Sequence, residues 1–350
     1  MTETLGNCAS QIERIQRKLA VVRLVDHLRE ISGADSHDYV LGEPLSIEQI
    51  RHFEEEYEVT LPEAYVAFLT QIGHSGLSRP GRWVDSMSAG PKYGLYPLGS
   101  QAQIGELDDL SHIRKDALVG SISNEEWART FGPLEEMDYS EDPESWDALW
   151  EKIHYGTLPV AYGGCSDFYG LILNGPQCGA IVDSHGEYEF PDGPPKTVGS
   201  DFLSWYEGWL DEILQGGVRR SRSRYSLKQK EIFSRLAENV DKGRIASSAR
   251  MAGAIKRIKP KYVPSLWQWY REANDERTRE YLLALLAQFD YENAKTEIQG
   301  ACDGLLIHIF ATRAPQHIGD WEDRLKEMES SGRQDLIDAV WLQRTYCGCD

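Results

Sequence analysis

In the segment PLSIEQIRHFEEEYEVTLPEAYVAFLTQIG, apolar residues recur at helical spacing. Ile47, Ile50, Phe53 and Tyr57 form one stripe, and Tyr65, Phe68, Leu69 and Ile72 form a second. Ser46 and Gln49 stand at the spacing of a capping box, in which each side chain takes the other residue's backbone N–H. Pro62 suits the first position of the second helix, where its missing N–H would have no partner, and Gly73 ends that helix. The period then changes. LPVAYGG, FYGLILNG and GAIVDS are short β-rich runs punctuated by Gly and Pro, which predicts neighbouring antiparallel strands of one sheet. Helical spacing returns in DFLSWYEGWLDEIL, with Phe202, Trp205, Tyr206, Trp209, Leu210 and Ile213 on its apolar side.

Past Gln215 the pattern is helical throughout. Ile232, Phe233, Leu236 and Val240 make a stripe ending near Gly243. Ile255 and Ile258 precede Pro260, Pro264 opens a segment with Leu266, Trp267 and Tyr270, and Tyr281, Leu282, Leu285, Leu286 and Phe289 follow. Helix pairs of roughly 35–45 residues resemble the unit of a solenoid, yet no self-similar sequence links them, so a solenoid and a bundle both stand. The fold class expected is α+β, with an antiparallel or mixed sheet and packed helices, followed by an all-α domain.

Charge sharpens the division. Up to Gln215 the chain carries 14 Lys+Arg against 37 Asp+Glu, and the rest carries 23 against 19. The break coincides with Gly216-Gly217 and with Arg219, Arg220, Arg222 and Arg224 set among serines. We therefore expect an α+β domain over residues 1–215 with an N-terminal helix and an acidic insertion, a Gly/Arg/Ser linker over 216–225, and an α-helical domain over 226–350. The arginines read as a solvated linker, or as a segment that docks onto the acidic first domain or onto RNA.

The 350-residue chain has a formal net charge of -19, which disfavours a broad grip on nucleic acid or an anionic membrane and favours a basic protein partner. Its longest apolar run, Tyr281 to Ala287, falls short of a bilayer span, and the first thirty residues carry charge throughout, unlike a secretion signal. A soluble, cytoplasmic chain is expected. The six cysteines (Cys8, Cys165, Cys178, Cys302, Cys347 and Cys349) are too sparse for a disulfide scaffold and are read as free thiols.

Motifs for chemistry are weak. Cys165 in GGCSDFYG has Asp183 and His185 downstream, but an acidic domain raises a thiol pKa, so a turn cysteine or small buried hydrophobe is the plainer reading. The histidines are scattered, and the tight pair Cys347 and Cys349 lacks further zinc ligands at a recognisable spacing. Phosphate-cradling glycine loops do not occur, and no cofactor is expected. Glu135, Glu136, Asp138, Glu141, Asp142, Glu144, Asp147 and Glu151 form a run without Lys or Arg. Such a run is either a solvated acidic loop or a docking face for a basic protein. Trp127, Trp146 and Trp150 border or interrupt it, as interface anchors or as core. On the docking reading the partner-binding residues are Trp127, Glu135, Glu136, Asp138, Glu141, Asp142, Glu144, Trp146 and Asp147.

In block order and content, residues of about 40–214 resemble the SUKH superfamily, which includes the Smi/Knr-type cell-wall regulators of fungi and many bacterial immunity proteins. Ile50, Phe53 and Glu54 fall on its first helix, and Leu61, Pro62, Tyr65, Phe68 and Leu69 on its LPxxYxxFL signature. Gly94, Leu95, Pro97 and Leu98 match its glycine-leucine-proline strand, Gly163, Gly164, Phe168 and Leu171 its central hairpin, and Phe202, Trp205 and Trp209 its closing helix. Two regions depart from the family: the tract Gly99 to Tyr155 is longer and more acidic, and residues 225–350 lie outside it. The resemblance implies an α+β fold, a non-enzymatic role and, in bacteria, neutralisation of a cognate toxin by direct binding, often a nuclease. A regulatory scaffold like the fungal relatives is the alternative, and a thiol-dependent enzyme the remaining one.

Overall fold

The computed structural model describes residues 2–75, 87–100, 110–135, 137, 140–164, 167–184, 193–217, 228–240, 242 and 244–346. It divides into two units, the first comprising Met1–Gln16 and Ser32–Trp209, the second Arg17–Ile31 and Leu210–Asp350. The segment Arg17–Ile31, grouped with the first domain on sequence, therefore packs with the second. The four linker arginines lie outside the described residues.

In the first unit a five-stranded antiparallel sheet runs in simple chain order: β1 (Gly94–Leu95), β2 (Thr157–Gly164), β3 (Asp167–Ile172), β4 (Ile181–Ser184) and β5 (Lys196–Gly199). β2, β3 and β4 are the three runs expected from the β-rich pattern. Phe168 pairs with Tyr162 and Ser184, and Gly170 with Val182, so Phe168, Gly170 and Ile172 share one face with Val182. That face meets the chain between β1 and β2: Ile172 and Val182 pack with Ala117 and Val119. Gly170 is required there, because a Cβ would stand 2.2 Å from the Thr157 Cγ2. Tyr169 and Leu171 look to the other side, where Tyr169 meets Trp205 at 5.2 Å between ring centroids.

The helices of the two apolar stripes stand earlier in the chain. α1 (Thr2–Val25) and the short α2 (Ala34–His37) precede them. α3 (Ile47–Tyr57) opens with the expected capping box, Ser46 and Gln49 exchanging both bonds, and buries Ile50 and Phe53. α4 (Glu63–Gln71) begins one residue later than expected, since Pro62 occupies the N-cap with extended backbone. Tyr65 and Phe68 then pack against Phe202 of α7 (Phe202–Glu212), one tilted and one edge-on, with centroids 4.6 and 4.8 Å away. The Tyr206 hydroxyl donates to the Ala89 carbonyl at 2.9 Å, and Arg14 holds the Glu207 carboxylate at 2.9 Å.

The described part of the second unit is helical: α8 (Gln229–Val240), α9 (Ala246–Gly253), α10 (Val263–Glu272), α11 (Glu276–Phe289), α12 (Tyr291–Gln299), α13 (Asp303–Thr312), α14 (Glu322–Ser330) and α15 (Gln334–Tyr346). Pro264 stands in the first turn of α10, as expected, and the Asp275 carboxylate caps α11 on the Thr278 N–H at 2.7 Å. The run Tyr281–Ala287 is buried along its length because α11 is lined by α9, α10, α12 and α13. It is core, and among the described residues no helix is long and apolar enough to cross a membrane.

Arg17–Ile31 is fastened to these helices by polar groups. The Tyr281 hydroxyl donates to the Leu28 carbonyl, His308 Nδ1 lies 2.8 Å from the Val25 carbonyl oxygen, and Arg313 pairs with Glu30. At the same turn Asp26 accepts the Glu30 N–H at 2.7 Å.

Candidate protein-binding surface

Between β1 and β2 the chain builds a helical insertion with its own core. A capping box of Ser123 and Glu126 starts α5 (Asn124–Phe131). Asp142, accepting the Ser145 N–H at 3.2 Å, and Pro143 start α6 (Pro143–Ile153). Trp127, Phe131, Leu134, Trp150 and Ile153 close into one buried cluster, against which Trp146, Leu149 and Met137 are packed. Trp146 lies flat on Trp150, with centroids 5.3 Å apart and planes at 18°.

This arrangement separates the residues expected to bind a partner. Trp127 is 2% exposed and sits 4.3 Å from Phe131 between ring centroids, so it supports the insertion and offers nothing at the surface. Glu141, Asp142 and Glu144 are exposed, whereas Trp146 and Asp147 are half-buried. Glu135 ends the turn Gly132–Glu135, and Glu136 and Asp138 lie outside the described residues. The tract from Pro143 is therefore a helix on an aromatic floor, which the density of its carboxylates had disguised as a loop.

Two further carboxylates, Glu125 and Glu126, stand exposed in the first turn of α5, a position sequence reading passed over. The Ser123 backbone N–H and hydroxyl both donate to Glu126, lowering its pKa and fixing its charge. The helix N-terminus adds its partial positive charge to the same effect. The two helices also carry a cation each in their last turns, Arg129 and Lys152, and Arg129 adds to the lowering at Glu126, while Arg114 lies 3.7 Å from Glu58 at the exposed end of α3. The surface thus offers negative charge on rigid supports. Away from these carboxylates in the contacts of the fold, Tyr93 is 38% exposed beside Tyr162 and Gly164 at the β2–β3 hairpin, an aromatic group the sequence reading did not single out. Cys165 and His185, the residues of the thiol reading, lie outside the described residues.

Beneath the insertion, His154 caps the C-terminus of α6, its ring 5.3 Å from both Trp150 and Phe168. Neither ring nitrogen has a hydrogen-bond partner among the described residues. Burial, helped by the neighbouring His112, pushes its pKa down to about 3. The folded domain therefore keeps His154 neutral, while the unfolded chain titrates it near 6.5. Below that pH the unfolded state binds the extra proton, and stability falls by up to about 1.4 kcal/mol per pH unit. We expect a loss of about 2 kcal/mol between neutral pH and pH 5, and expect His154→Phe to remove it. Urea midpoints across this range check the point. A slope unchanged in the variant would assign it to other groups.

Residues 44–208, which include the sheet, α3 to α6 and most of α7, match the SMI1 / KNR4 family (SUKH-1). The earlier resemblance is thereby shown for this domain, while the helices from Gln229 onward lie beyond the match. No curated protein and no solved structure matches the chain.

Proposed function

Starting from a SUKH-1 domain over residues 44–208, we propose that this protein acts by binding, as a cytoplasmic immunity protein. In this reading it covers a cognate toxin with a basic surface, such as a nuclease, and performs no chemistry on it. The observation that carries the reading is the set of exposed carboxylates Glu125, Glu126, Glu141, Asp142 and Glu144, presented by two capped helices on a common aromatic core. Charge so placed steers a basic partner, raising the encounter rate and discriminating against wrong partners. Toxins that grip phosphate are basic where they do so, and covering that surface suffices for inhibition. An interface of about 1,600 Å² with a few aromatic anchors gives tight binding.

Co-purification of the full chain with the C-terminal domain of a toxin encoded beside it tests the reading. Protection of cells by a variant that no longer binds would overturn it. For the surface itself, Glu141→Gln, Asp142→Asn and Glu144→Gln together should slow association at low salt by about tenfold and flatten its salt dependence. Asn preserves the cap on α6, so stability should stay within about 0.5 kcal/mol. An unchanged on-rate removes this tract from the interface.

A second reading, a regulatory scaffold like the fungal cell-wall regulators, draws support from the helical unit beyond the family match. There Trp341 is 64% exposed on α15, an aromatic group placed as if for a second protein. A toxin gene beside this one favours the first reading, and capture of a cell-wall regulatory protein favours the second.

A further inference from the structure

We propose that His27, Glu280 and Cys302 form a binding site for a borderline-soft divalent cation of the Zn²⁺ type, independent of the acidic surface. All three belong to the second unit but come from distant parts of the chain. His27 follows the end of α1, Glu280 lies on α11, and Cys302 is the N-cap of α13. One ligand atom from each lies within 4.8 Å of the other two. His27 Nε2 is 3.0 Å from Glu280 Oε1, and Cys302 Sγ is 3.9 Å from each of them. Bonds of about 2.3 Å to sulfur and about 2.0–2.2 Å to nitrogen and oxygen, at tetrahedral angles, set such atoms roughly 3.3–3.6 Å apart. The observed separations bracket that range, so shifts of a few tenths of an ångström complete the geometry.

The directions of approach favour a cation over a nucleophilic triad. In a triad the acid and the nucleophile bind opposite nitrogens of the imidazole. Here carboxylate and sulfur both face Nε2, the convergence that a shared ion requires. On the other edge of the ring, a Cβ on residue 304 would stand 2.7 Å from His27 Nδ1, so Gly304 lets the imidazole lie against the first turn of α13. The Leu305 N–H, donating to Cys302 Sγ at 3.5 Å, fixes the sulfur. His27 and Glu280 are half-buried while Cys302 is exposed, which gives an ion an entry from solvent and leaves a fourth position for water. Sulfur, nitrogen and oxygen together select Zn²⁺ over Mg²⁺ or Ca²⁺, which take oxygen ligands.

The test uses the full chain carrying Cys347→Ser and Cys349→Ser, which removes the thiols of the C-terminal tail as competitors, with Co²⁺ as probe. We expect one equivalent of Co²⁺ to give tetrahedral visible bands and a thiolate charge-transfer band, and Zn²⁺ to displace it and raise the Tm. Cys302→Ser keeps the N-cap, because a serine oxygen accepts the same amide. It should abolish the charge-transfer band, and both it and His27→Gln should weaken binding by at least the roughly 10–100-fold that loss of an outer-shell partner costs. Absence of a thiolate–Co²⁺ band in the tail variant overturns the proposal, as does a band of equal intensity and affinity in Cys302→Ser.

Discussion

Arg313→Met lowers the stability of the helical unit by about 3–5 kcal/mol, because it strands a carboxylate in the interior. Arg313 is 5% exposed and Glu30 is 4% exposed, and their ion pair joins the segment Arg17–Ile31 to the end of α13. His308 Nε2 stands 3.6 Å from the second carboxylate oxygen, while the Gln288 amide oxygen accepts from the guanidinium at 3.3 Å. Removing one member leaves the remaining charge desolvated; removing both leaves only a packing change. The double variant Glu30→Leu/Arg313→Met should therefore be milder than Arg313→Met alone, since apolar replacement of a buried pair is often neutral. Urea unfolding of the three variants measures this. A loss below about 1 kcal/mol in Arg313→Met would mean that water reaches Glu30.

Trp127→Ala should cost about 3–5 kcal/mol in the sheet-bearing unit, the usual penalty for emptying a buried indole site. The side chain anchors the cluster that includes Phe131, Leu134, Trp150 and Ile153, so truncation loosens α5 and α6 together. Glu125→Gln, two positions away on the exposed face, should change stability by less than about 0.5 kcal/mol. Together the pair of variants separates support from contact. If Trp127→Ala folds normally and fails only to bind, the tryptophan is an interface anchor after all.

Local signals were legible wherever neighbouring residues settle the outcome. The Ser46–Gln49 box, the two stripes of α3 and α4, and the runs of β2, β3 and β4 all depend on residues within a turn or a strand of one another. β5 escaped notice because Lys196, Thr197 and Val198 are all exposed on an edge strand, so no alternation of apolar and polar positions marks it. In the insertion the helical signal was present: Trp127 and Phe131, then Trp146, Trp150 and Ile153, stand at helical spacings. The carboxylates between them drew the reading toward a loop. The surface carboxylates Glu141, Asp142 and Glu144 were found from composition, whereas the burial of Trp127 could come only from packing.

Contacts across long stretches of sequence left no trace in the pattern. Nothing near Leu28 announces Tyr281, 253 positions away, and nothing near His27 announces Cys302, at a separation of 275. Zinc-type spacings are recognisable when ligands share a turn or a hairpin. Here each would-be ligand comes from a different helix or helix end, so only the folded chain brings them together.

The attachment of Glu30 to Arg313 also sets an order for biosynthesis. The two residues are 283 positions apart, and at roughly 5–20 residues per second the ribosome takes about 15–60 s to deliver the second after the first. Throughout that interval the segment that buries Val21, Val22, Val25 and Leu28 lacks the ion pair to the end of α13 and leaves Glu30 without its guanidinium. A nascent chain in this state is a natural client for a chaperone, and one stalled before α13 is a natural substrate for proteases.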